Sequence, residues 1–138
     1  MTNVILVAID ANDEAGAKKV AAQAALLAKA TGAKLHAITV VPDSGMAIVG
    51  AALGPEHSDK VMRATQDSMN GFLGEHLPEA ELHVVFGSIY DSIIRTADSL
   101  HAELIIIGSH RPELRDYLVG PNAAKVARHA QQSVLIVR

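Results

Sequence analysis

The sequence predicts an α/β fold, a parallel sheet with helices on both faces, forming a single domain over residues 1–138. Three observations carry this prediction. Short apolar runs alternate with stretches of helical periodicity along the chain. The runs at residues 4–9 and 104–107 are nearly continuous rather than alternating, as in strands covered on both sides. A hydrophobic content of 49% comes with only 3% aromatics, so the core must be built from Ala, Val, Ile and Leu. A chain of 138 residues can bury roughly two thirds of its unfolded surface as one domain.

Residues 4–9 predict the first strand, ended by Asp10. Residues 14–31 are Ala-rich, with Ala17, Val20, Ala24 and Leu27 on one face and Lys18, Lys19, Gln23 and Lys29 elsewhere, which predicts an amphipathic helix stopped by Gly32. Residues 34–41 form the second strand, broken by Pro42. Residues 43–57 hold Gly45, Gly50, Gly54 and Pro55 and predict a long mobile flap. The second helix runs from Ser58 to about His76 on Val61, Met62, Met69, Phe72 and Leu73, with Pro78 beyond its end.

The third strand covers residues 81–86, and Ser88 with Asp91 three residues later reads as a capping box for a helix that buries Ile89, Ile93, Ala97 and Leu100. Residues 104–107 are β-branched and central in character. A glycine loop follows, then a helix over residues 121–130 and a last strand over residues 134–137.

Twelve Lys and Arg against fifteen Asp and Glu give a net charge of -3, which disfavours nucleic acid and anionic membrane as partners. Zero cysteines exclude disulfides and thiolate metal sites, and the seven His show no His-x-x-x-His pair, so no metal site made only of protein ligands is expected. The opening residues lack a basic, then apolar leader, and no run reaches spanning length, which makes a cytoplasmic location and no membrane insertion the expectation.

The segment richest in chemical information begins at Ile105-Ile106-Ile107. It empties into Gly108-Ser109-His110-Arg111-Pro112, and a second glycine opens the helix Gly120-Pro121-Asn122-Ala123-Ala124. Glycine lets backbone approach a phosphate chain closely, and a helix N-terminus presents free N–H groups to an anion. Both glycines can equally serve only to turn the chain. There is no Walker Gly-Lys-Ser/Thr, nucleophile elbow or credible triad to support catalysis.

These residues resemble the C-terminal signature of the universal stress protein family, Gly-x-x-Gly followed by Gly-Ser or Gly-Thr, with Gly108 as its first and Gly120 as its last glycine. Arg111 stands at the second family glycine and Pro121 at the Ser/Thr. One branch of the family carries Ser-His-Arg-Pro here, with Asn122 and Arg128-His129-Ala130 also matching. The opening strand ending in Asp10 and the closing Ser133-Val134-Leu135-Ile136-Val137-Arg138 extend the resemblance over the whole chain.

The resemblance implies an adenine-nucleotide α-hydrolase-like sheet of order 3-2-1-4-5. Its ligand crevice opens beyond strands 1 and 4, where the order reverses. It implies ATP or AMP as ligand, with Mg2+, and contacts from Ile9, Asp10, Val40, Gly108, Ser109, His110, Arg111, Gly120, Pro121, Asn122, Ser133 and Val134. Asp10 would serve nucleotide-bound Mg2+ or cap the next helix, and Val40 would meet adenine through its backbone. Arg111 would clamp phosphate or point to solvent, and His110 would contact ligand or cap the strand end.

The function implied is a nucleotide-binding regulatory module of the stress response with at most slow ATP hydrolysis. It would form a homodimer, or a higher oligomer, through Val134, Leu135, Ile136 and Val137. Two alternatives stand beside it. One is a dimeric scaffold that does not bind nucleotide tightly, which Arg111 and Pro121 favour; the other is a phosphotransfer enzyme, which lacks a placed general base.

Overall fold

The computed structural model describes residues 3–42, 55–109 and 119–138. Among these residues the order is β1 (Val4–Ala8), α1 (Glu14–Thr31), β2 (Lys34–Pro42), α2 (Pro55–His76), β3 (Glu81–Gly87), α3 (Ile89–Ser99), β4 (Leu104–Gly108), α4 (Pro121–His129) and β5 (Ser133–Val137). The five strands form one parallel sheet in the order β3-β2-β1-β4-β5.

Side chains alternate across a strand, and both faces are covered, which explains the unbroken apolar runs. Ile5, Val7 and Ile106 join Val20, Ala24, Met69 and Leu73 on the side of α1 and α2. Leu6, Ile105 and Ile107 join Ile93, Ala97, Ala123 and Val126 on the side of α3 and α4. Ala17, Ala21 and Ala24 are almost fully buried, so the Ala-rich face lets α1 lie close on the sheet. No described helix is long and apolar enough to cross a membrane.

Several boundaries differ from expectation. Helix α2 begins at Pro55 rather than Ser58, because proline's fixed φ suits a first helical turn. The flap expected at 43–57 therefore ends by 54, and residues 43–54 lie outside those described. Pro42 does not break β2 but is its last residue, paired with Gly87 at the far end of the edge strand, where a missing N–H is tolerated. The capping box at Ser88 is absent: its side chain makes no cap bond, and Asp91 instead pairs with Arg95 one turn on, Nε to Oδ2 2.9 Å. Helix α1 is capped as a helix should be, by Asp13 at its start and a left-handed Gly32 at its end.

Candidate functional site

A cavity of about 380 Å³ opens at the carboxyl ends of β1 and β4, where neighbouring strands connect in opposite directions. That position follows from topology: the crossovers leaving β1 and β4 go to different sides, so the chain parts there. The volume lies within the range of small-molecule sites, about 300–1,000 Å³.

One wall is apolar and comes from β2 and α3: Ile38, Val40, Pro42, Ile89 and Ile93. Strand β2 outruns β1, and this frees backbone. Lys34 N donates to Asn3 O and Ile38 O accepts from Ile9 N, both 2.9 Å, so the even-numbered residues of β2 turn their N–H and C=O toward β1. Val40 has the same parity but lies beyond the last β1 residue, so its N–H and C=O face the cavity. A strand edge of that kind can meet the hydrogen-bonding edge of a planar heterocycle lying on the apolar wall.

The opposite wall is built by two helix N-termini that differ in one respect. At α1 the Asp13 carboxylate accepts from Gly16 N at 3.0 Å, so the cap is filled from within the chain. At α4 the cap position is Gly120, in extended conformation, and among the described residues no side chain bonds to the first turn. Pro121 at the first helical position has no N–H, which leaves those of Asn122 and Ala123 directed out of the helix. Their partial positive charge favours an anion.

Between these walls lie Asp10, whose Oδ1 accepts from Asn12 N at 2.9 Å, and Gly108 with Ser109 at the end of β4. The bond to Asn12 is a local turn that holds the carboxylate in place, and the helix-cap role falls to Asp13 instead. Gly108 keeps α1 and β4 close: a Cβ there would stand 3.3 Å from Val20 Cγ2, a tight contact that would ask the valine to shift by a few tenths of an ångström. Ser109 N donates to Val137 O at 2.9 Å, which extends the β4–β5 ladder and holds the loop's first residue in line.

Eight of the twelve expected site residues therefore line one cavity: Ile9, Asp10, Val40, Gly108, Ser109, Gly120, Pro121 and Asn122. Ser133 and Val134, expected there as well, do not line it. The parallel register pairs Ser133 with Leu104 and Val137 with Gly108, so the two residues sit at the amino end of β5, at the wrong end of the sheet. His110 and Arg111 lie outside the described residues. Asn12, Asp13 and Gly16 line the cavity without having been anticipated. The signal available for them was the carboxylate immediately before a helix, which marks an N-terminus that must face the end of β1.

Comparison with known proteins agrees with this architecture. The model of the universal stress protein family matches residues 1–138. A Universal stress protein G from Salmonella typhimurium is 29% identical over 143 aligned residues, covering all of both chains. One from Shigella flexneri is 45% identical over 56 residues, a match that spans 41% of this chain and only 39% of that relative. Among solved structures, the hypothetical protein MJ0577 superposes with a TM-score of 0.84 at 18% identity, covering 99% of this chain and 96% of its own. A universal stress protein from Archaeoglobus fulgidus in complex with dAMP gives 0.65 at 22%, with 99% and 97 to 98% covered in this and in a further structure in complex with cAMP, which gives 0.63 at 24%.

Proposed function

Because the chain belongs to the universal stress protein family, we propose that it binds an adenine nucleotide, ATP or AMP, in the cavity at the ends of β1 and β4 and acts as a nucleotide-responsive regulatory module. The observation that carries this is the uncapped start of α4, whose N–H groups at Asn122 and Ala123 open into a cavity that also receives the free backbone edge of Val40. Adenine lies against Ile38, Val40 and Pro42, and the phosphates lie at Gly120 and Asn122, with Gly108 and Ser109 beneath. Structures of the same fold in complex with cAMP and dAMP support the ligand class.

The chain's own residues fit the group. Beyond its bond to Asn12, Asp10 has a second carboxylate oxygen with no partner among the described residues, where Mg2+ carried by the nucleotide has a place to be held. The reading is one of binding with at most slow hydrolysis. Pairing with a second copy along β5 is part of it: β5 is an edge strand whose outer N–H and C=O groups have no described partner.

Calorimetry with ATP and AMP tests the proposal, with modest affinity and a thermal upshift expected. No heat and no shift at millimolar nucleotide would favour the second reading, a scaffold without tight nucleotide binding. The specific observation behind that reading is Pro121, which removes one N–H from the helix start.

A further inference from the structure

In the amino-terminal half of the edge pair β2 and β3, three side chains that have no part in the nucleotide cavity converge on one point. His36 on β2 and Glu81 and His83, two residues apart on β3, share the sheet face that carries Ile38 and Val85, since the register pairs His36 with Glu81 and Ile38 with His83. His36 Nδ1 lies 2.9 Å from His83 Nε2 and 3.2 Å from Glu81 Oε2, and the two rings stack with centroids 5.1 Å apart. One ligand atom from each residue lies within 4.8 Å of the other two.

The surroundings make this more than a surface contact. His36 is only 6% exposed, beside Leu6, Ile38 and Val85 on an apolar face, where an imidazole is costly to bury unless its nitrogens are engaged. Three lone-pair atoms meet there, and a single ring hydrogen between them satisfies at most part of the set. The Glu81 side chain is 60% exposed, so the cluster is closed beneath by the sheet and reached from solvent across the edge strand.

We propose that His36 Nδ1, His83 Nε2 and Glu81 Oε2 form a binding site for a divalent transition-metal cation of the Zn2+ class, with a fourth position open to water. Two imidazoles and one carboxylate with an open position is an established donor set for Zn2+, and imidazole selects Zn2+, Ni2+ or Cu2+ over Mg2+ and Ca2+. Metal–ligand bonds of about 2.0–2.1 Å in a tetrahedron place the ligand atoms about 3.3 Å apart. The imidazole nitrogens need only part by a few tenths of an ångström to reach this, and the exposed Glu81 chain can close on the ion. A bound cation ties edge strand β3 to β2 and stabilises the folded chain by mass action.

The test is titration of the full chain, stripped with chelator and free of nucleotide, with Zn2+ and with Co2+ as a spectroscopic substitute. One Zn2+ per chain, a rise in melting temperature and the intense visible bands of four-coordinate Co2+ are expected. His83→Ala should weaken Zn2+ binding by about 100-fold and Glu81→Gln by about 10-fold, following the loss of one of three ligands. His101→Asn, at an exposed residue whose φ of 55° asparagine tolerates, should leave binding unchanged. Glu81 is exposed, so its variant reports on the site even if His83→Ala folds poorly. Absence of Zn2+ binding at 100-fold molar excess, or binding that Glu81→Gln and His83→Ala leave intact, would overturn the assignment.

Discussion

Gly16 is in the first turn of α1, where glycine weakens a helix, and replacing it with alanine would ordinarily stabilise the protein by up to about 1 kcal/mol. The geometry predicts otherwise. A Cβ at residue 16 would lie 2.2 Å from Asp13 Oδ2 and 2.8 Å from its Cγ, well inside contact distance. The carboxylate must swing away, and its bond to Gly16 N, 3.0 Å long, is then lost. Loss of such a cap costs about 0.5–2 kcal/mol. The gain and the loss nearly cancel, so Gly16→Ala in the wild type should be neutral or destabilising by up to about 1 kcal/mol.

Removing the carboxylate first changes the sign. Asp13→Ala alone should cost about 1 kcal/mol, and in that background Gly16→Ala meets no obstacle and should stabilise by up to about 1 kcal/mol. A double-mutant cycle by urea unfolding of the four proteins at pH 7 measures the difference, with the m-values required to agree. A coupling of about 0.5–2 kcal/mol is expected. If Gly16→Ala shifts stability equally in both backgrounds, within about 0.3 kcal/mol, the cap geometry is wrong and α1 presents its N-terminus to the cavity unfilled.

Four further outcomes are expected. Ile106→Ala, at a fully buried site between β1 and β5, should cost about 2–5 kcal/mol in urea unfolding, and a loss below about 1 kcal/mol would contradict its central packing. In metal-free protein, burial, His83 and Lys34 hold His36 below its ordinary value while Glu81 opposes them, so the unfolded chain binds the extra proton. Stability is therefore complete above about pH 6.5 and falls as pH drops toward the folded-state value, and His36→Leu should flatten that slope in unfolding series between pH 7.5 and 5; parallel slopes would exclude His36 as the source. Arg111→Ala should weaken ATP by roughly ten- to a hundredfold while leaving adenosine unaffected, and equal losses for both in calorimetry would remove Arg111 from the phosphates. For the proposed dimer, Val137 O faces β4, so Val134 and Ile136 turn their N–H outward; Ile136→Pro should yield a folded monomer in sedimentation, whereas a wild type already monomeric at micromolar concentration would refute the dimer and a dimer unaffected by the proline would place its interface elsewhere.

The sheet was readable from sequence because its signal is local. The runs at β1 and β4 are apolar on both faces, and strands of that kind need helices above and below them. Asp10, Gly108 and Gly120 were readable for a similar reason: each ends a strand or opens a helix, and parallel topology sends those points to one edge. Ser133 and Val134 were misplaced although direction alone argues against them, since a parallel strand entered at residue 133 reaches the crevice edge only at 137. His36 and His83 are 47 positions apart and meet only through the β2–β3 register, which no local pattern specifies. The contact that constrains Gly16 depends on where the Asp13 carboxylate sits, which no sequence pattern specifies.

The two helix starts at the cavity give the proposed complex a direction. Asp13 fills the start of α1 and, with Asp10, places two carboxylates on the β1 side, while no Lys or Arg is among the described lining residues. Phosphate is repelled from that side and attracted to α4, where Asn122 and Ala123 offer N–H groups and no described side chain competes. With adenine held on the β2 side by the Val40 edge, the ribose must cross the mouth of β1 and β4, beside Asp10 and Gly108. Each further phosphate then adds charge within reach of the Asp10 carboxylate, so a triphosphate depends on a divalent cation at that oxygen more than a monophosphate does. The site should therefore distinguish ATP from AMP by Mg2+ concentration, a discrimination set by charge placement rather than by shape.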